Sequence, residues 1–121
     1  MATATSVQND AGKTIGINFV GQSPHVFVYR FWKKEPGDGK FKAIRDGDTV
    51  DETPDHFDCG RYPDDTRIAY WVAIAGNPKT AFRFSIIFAQ ESRIPVGGNI
   101  THNGTTTVKG GAVIEHEVVL V

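Results

Sequence analysis

TRIAYWVAIAGNPKTAFRFSIIFAQ, residues 66–90, decides the fold. In its first half Ile68, Tyr70, Val72 and Ile74 fall on one side, with Arg67, Ala69, Trp71 and Ala73 on the other. In its second half Phe82, Phe84, Ile86 and Phe88 alternate with Ala81, Arg83, Ser85 and Ile87. A period of two built from aromatic and β-branched side chains marks a half-buried strand. Between the runs, Ala75-Gly76-Asn77-Pro78-Lys79 supplies positive-φ positions and a fixed-φ proline. The stretch therefore predicts two strands folded as a central hairpin.

The same period recurs on either side. Ile15, Ile17 and Phe19 alternate with Thr14, Gly16 and Asn18, and Gly21-Gln22-Ser23-Pro24 ends that strand. Residues 25–32 place Phe27, Tyr29 and Phe31 on one side and Val26, Val28, Arg30 and Trp32 on the other. Apolar residues on both sides predict a strand that is central or covered on both faces. A polar, glycine-rich loop (33–39) leads to a short return strand over 41–44. Beyond residue 90, 92–96 reads as a short strand and Gly97-Gly98-Asn99 as a turn. The threonine-rich stretch 100–108 suits an edge strand, or two short pieces about the hairpin signal Asn103-Gly104. Residues 112–121 close the chain as a strand with Ile114, Val118 and Leu120 inward and His116 among them.

Seven to nine short strands with no amphipathic helix predict one all-β domain over residues 1–121, an antiparallel β-sandwich of jelly-roll or Ig-like kind. A closed β-barrel is the alternative. At 121 residues the chain can bury one core without staples, and the lone Cys59 excludes an internal disulfide. No apolar run is long enough to span a bilayer. The N-terminal residues lack the basic and apolar segments of a secretory leader, so the expectation is a cytoplasmic start or signal-independent export.

The alternation fails between Arg45 and Asp65. That stretch carries Gly47, Pro54, Gly60 and Pro63 and reads as a long irregular loop, with one helical turn at Asp55-His56-Phe57 capped by Thr53. Eight of the fourteen acidic residues lie in positions 46–65, where only Arg61 is basic, although the whole chain has a formal charge of −1. That near balance gives no sign of a nucleic-acid partner. Asp46, Asp48 and Asp51 have the oxygen-rich spacing that calcium requires, but this is no EF-hand, because the twelfth position from Asp46 is Phe57. A solvated acidic loop that blocks edge pairing is the plainer account.

His56 and Cys59 are near in sequence, but a strand would turn them to opposite sides, and one cysteine cannot supply a four-ligand zinc site. His25, His102 and His116 are scattered, and only convergence in space would make them a metal or pH-sensing site. Hydrolase, zinc-protease and nucleotide-loop signatures are absent, which points away from an enzyme. Trp32 and Trp71 fall opposite the inward faces of their strands, and Tyr62 lies in the acidic stretch. An exposed tryptophan beside carboxylates can stack on a sugar ring while oxygen groups take its hydroxyls.

The expectation is a non-catalytic, lectin-like module that binds carbohydrate or a cell surface through the 46–65 region. Trp32, Asp55, His56, Tyr62 and Trp71 would be its ligand-binding residues, with calcium as an optional helper at Asp46, Asp48 and Asp51. The alternative is a self-assembling structural or toxin-complex component whose exposed aromatics and edge strands form contacts between copies. Either way a homo-oligomer is expected.

Overall fold

The computed structural model describes residues 4–21, 25–49 and 55–121. Among these the chain is all β, with no helix and no closed barrel. The nine strands are β1 (Thr5–Val7), β2 (Ile15–Gly21), β3 (Val26–Lys34), β4 (Lys42–Asp48), β5 (Asp55–Gly60), β6 (Arg67–Ala75), β7 (Ala81–Gln90), β8 (Asn99–Thr105) and β9 (Gly111–Leu120). They form a five-stranded sheet ordered β1-β9-β6-β3-β4 and a four-stranded sheet ordered β5-β2-β7-β8. The two layers make a β-sandwich. All pairings are antiparallel except that of β1 with β9, which is parallel.

The alternation of residues 66–90 identifies the buried faces. Ile68, Tyr70, Val72, Ile74, Phe82, Phe84, Ile86 and Phe88 are all within 5% of complete burial. The rings of Phe19, Phe27 and Phe84 meet at centroid distances of 5.4–5.7 Å, which knits the two layers together.

The predicted hairpin does not form. β6 pairs with β3 and β9, whereas β7 pairs with β2 and β8, so Gly76–Thr80 crosses from one sheet to the other. Its backbone bonds go to the β8–β9 turn. Gly76 N–H donates to Gly110 O (2.9 Å), Lys79 N–H to Thr107 O (3.1 Å) and Thr80 N–H to Thr106 Oγ1 (2.9 Å). Two crossings at the same end satisfy each other, and β6 and β7 meet through side chains across the core.

The irregular loop expected over 45–65 is also corrected. β4 runs on through Asp48, and β5 is an edge strand paired with β2, in place of the helical turn. Its expected cap, Thr53, lies outside the described residues, as do Asp51 and residues 22–24. The alternation is hidden because an inward position of β4 is Gly47, the register partner of Tyr29, and a Cβ there would come 2.3 Å from the Tyr29 hydroxyl. Asn103-Gly104 is no turn either. Gly104 lies inside β8 opposite Phe82, whose ring a Cβ would approach to 2.5 Å. A large ring lying over a glycine on the neighbouring strand explains both positions.

Residues 92–96 form a loop with a single bridge between Gln90 and Arg93. β3 is interior in its sheet, but its outer face is open, with Val28 42% exposed. β1 escaped prediction because three residues with one inward apolar side chain, Val7, carry too little pattern.

Candidate functional site

The outer surface of the four-stranded sheet dips where β2 passes between β5 and β7. Gly16 has Asp58 as its register partner on one side and Ala89 on the other, so two adjacent positions carry almost no side chain. The resulting groove has a volume of about 550 Å³, within the range of roughly 300–1,000 Å³ usual for small-ligand sites. A Cβ on Gly16 would come 3.1 Å from His56 Cε1 and 3.2 Å from Asp58 Oδ1, so the missing side chain is what opens the floor.

Local irregularities aim the walls. The β2–β5 register slips between Ile15 and Gly16, leaving Cys59 as an extra residue in β5. Such a bulge bends an edge strand and redirects its side chains. Asn18 Oδ1 accepts from His56 Nδ1 at 2.8 Å, which leaves Nε2 facing Asp58 Oδ1 at 3.6 Å. The ring thus spans from Asn18 to Asp58 along one wall of the groove. Arg61 adds a guanidinium at the rim.

The opposite rim is a strained reversal. Glu91 (φ 50°) and Ser92 (φ 61°) both adopt left-handed backbone, while Gln90 and Arg93 exchange backbone hydrogen bonds at 2.8 and 3.0 Å. A two-residue loop with positive φ at both positions is a type I′ turn, which normally takes Asn-Gly. Here glutamate and serine occupy it, and strain of this sort gathers at binding sites. Lys13 Nζ reaches Glu91 Oε2 at 3.1 Å and Asp10 Oδ2 at 3.4 Å, and these hydrogen bonds hold its ammonium above the ordinary value. The β1–β2 turn that carries Lys13 is fixed by buried Gln90, whose Nε2 lies 2.9–3.1 Å from Asn9 Oδ1, Asp10 O and Lys13 O.

The residues expected to bind ligand are not brought together. His56 lines the groove. Trp32 and Trp71 lie on the outer face of the opposite sheet, half-buried, diagonal to one another across β3 and β6. Tyr62 is buried core and a correction to the expectation. Its hydroxyl donates to Cys59 O at 3.2 Å, and Lys33 Nζ sits 4.9 Å from its ring centroid. Asp55 turns inward to Tyr29, whose phenol is pushed up to about 12 by burial and then by the charge of Asp55 and a hydrogen bond to it. Of the expected calcium ligands, Asp46 and Asp48 project from β4 on the tryptophan face, and Asp46 pairs with Arg30 at 3.6 Å. Among the described residues, no three His, Cys, Asp or Glu side chains cluster as metal ligands. The Cys59 thiol is pushed up to about 12 by burial first and Asp58 second, too high for a nucleophile near neutral pH.

Two of the scattered histidines do converge. His102 of β8 and His116 of β9 face each other across the open side of the sandwich, with ring centroids 5.2 Å apart. His102 Nε2 is 2.6 Å from the Tyr70 hydroxyl, and His116 Nε2 is 2.6 Å from Thr5 Oγ1. Burial lowers both imidazoles, aided at His102 by the neighbouring His116 and opposed at His116 by Glu117. His25 lies apart, against Phe27 and Phe82.

No family model, curated protein or solved structure matches this chain. The reading of the groove therefore stands on its chemistry.

Proposed function

We propose that the protein is a non-catalytic binding module that takes a neutral, hydroxyl-rich ligand, a cell-surface carbohydrate, in the groove over Gly16. The observation that carries this is the balance of groups around one floor. Among the lining residues Lys13 and Arg61 offset Asp58 and Glu91, and Asp10 stands behind Lys13, so there is no excess of positive charge to select a phosphate. What remains is a ring of acceptors (Asp58, Glu91) and donors (Arg61, Lys13) with the His56 imidazole between them, the complement of a sugar's hydroxyls. Among the described residues no Phe, Tyr or Trp lines the groove to stack on a pyranose, and both tryptophans lie on the other layer. Hydrogen bonds exchanged with water yield little net energy each, so the affinity expected for a single sugar is on the order of millimolar.

The test is an amide-resolved NMR titration with neutral mono- and disaccharides up to about 50 mM, the range such an affinity requires. Shifts should cluster at Asn18, His56, Asp58 and Glu91, and Gly16→Val, which fills the floor, should abolish them while the fold persists. A panel that moves no groove resonance, or moves only those around Trp71, refutes the assignment.

A further inference from the structure

The outer face of the five-stranded sheet carries an apolar band along β3, β6 and β9 where an exposed sheet face is ordinarily polar. Register gives its rows across β3, β6 and β9: Val26–Ala75–Gly111, Val28–Ala73–Val113, Arg30–Trp71–Glu115 and Trp32–Ala69–Glu117. Val28 and Val113 are 42% and 55% exposed. Charge borders this band on β4, where Asp48 flanks Val28 and Asp46 pairs with Arg30 at 3.6 Å, and on β9 at Glu115 and Glu117.

We propose that this face is the contact between two copies of the chain, related by a two-fold axis running along β6. The arrangement of the rows carries the argument. Such an axis leaves β6 over β6 and brings β3 of one copy over β9 of the other, row by row. Trp71 then meets the partner's Trp71, and Val28 meets the partner's Val113. Arg30, which already lies 3.6 Å from Asp46 of its own chain, meets the partner's Glu115, and the symmetric contact repeats it, while Val26 meets the partner's Gly111. Arg30 and Glu115 stand one strand to either side of Trp71, so the crossing of about 30° usual between packed sheets displaces them little. Arg67, which would approach its own copy, already carries Glu117 at 3.0 Å. An isologous interface demands this self-complementarity.

The contact is small. Four rows along the strands and the three strands that overlap about β6 give a patch of roughly 15 Å by 25 Å, on the order of 700 Å² over two copies, the size of a weak, transient association. The buried tryptophans and desolvated arginines would be its anchors.

Sedimentation equilibrium and light scattering on the full chain, from about 10 µM to 500 µM, test this, a range that covers the weak association of a small interface. The wild type should reach twice the monomer mass. Arg30→Glu and Glu115→Arg should each weaken association at least about tenfold, and the double variant should restore it. Both side chains are exposed in the monomer, so circular dichroism should be unchanged. A wild type that stays monomeric throughout overturns the proposal. So does a dimer indifferent to the single reversals, or a double variant that stays monomeric. None of these outcomes bears on sugar binding, which uses the opposite layer.

Discussion

Replacing Glu91-Ser92 by Asn-Gly should stabilise the fold, and the size of the gain follows from the backbone. Both residues hold φ near +50° to +60°, where a side chain crowds the following carbonyl. Left-handed backbone costs an ordinary residue about 1–2 kcal/mol, asparagine less, and glycine almost nothing. Relief at the two positions is therefore on the order of 2 kcal/mol, less roughly 0.5–1 kcal/mol for the greater freedom of glycine in the unfolded chain. The lost contact from Lys13 to Glu91 is solvent-screened and alters the sum little. A net gain of about 1 kcal/mol, spread over an unfolding entropy of about 0.25 kcal/mol/K for a chain this long, raises Tm by about 4 °C. Urea titration and calorimetry of the wild type, Ser92→Gly and the double variant measure it. Ser92→Gly alone should give part of the gain and keep sugar binding, whereas the double variant removes a groove carboxylate and should lose affinity. An unchanged or lowered stability in the double variant would refute the claim that strain is stored at this rim.

Phe84 is 1% exposed and its ring contacts those of Phe19, Phe27, Phe82 and His102. Phe84→Ala should therefore cost about 3–5 kcal/mol, the range for emptying a buried aromatic site, while Phe41→Ala at a partly exposed position should stay below about 1 kcal/mol by denaturant titration. The lowered His102 and His116 set a pH dependence. Unfolding frees both to take up protons at their ordinary value near 6.5, whereas the native state resists until lower pH. Their contribution is complete above 6.5 and is lost as pH falls from there through the depressed native values. Melts across pH 8 to 5 should show the decline, and His102→Gln with His116→Gln should flatten it; an equal slope in that variant would contradict the assignment.

Much of the buried face was legible in the chain, because a strand's side chains alternate by steric necessity whatever its neighbours. The inward residues of β6 and β7, and Ile15, Ile17, Phe27, Phe31, Val118 and Leu120, are all in the core. The register and partner of each strand were not legible. Alternation specifies a face and says nothing of which backbone lies alongside, so β6 and β7 looked like a hairpin although their linker bonds instead to the β8–β9 turn. The continuation of β4 past Ile44 and the whole of β5 escaped for a related reason. An edge strand needs few apolar residues of its own when a neighbour's ring, such as Tyr29 over Gly47, fills its inward position. Of the residues expected to bind ligand, His56 lines the groove, but the sequence showed no alternation around it and did not place it on a strand. Nor could the sequence show that Trp32 and Trp71 face away from His56, because the two layers are related only through the packed core. Nor could it reveal the groove, which exists because Gly16 and Ala89 are small and adjacent across a strand pair, or the meeting of His102 with His116 from opposite sheets. Local sterics determined the faces; long-range hydrogen bonding and packing decided which of them look at each other.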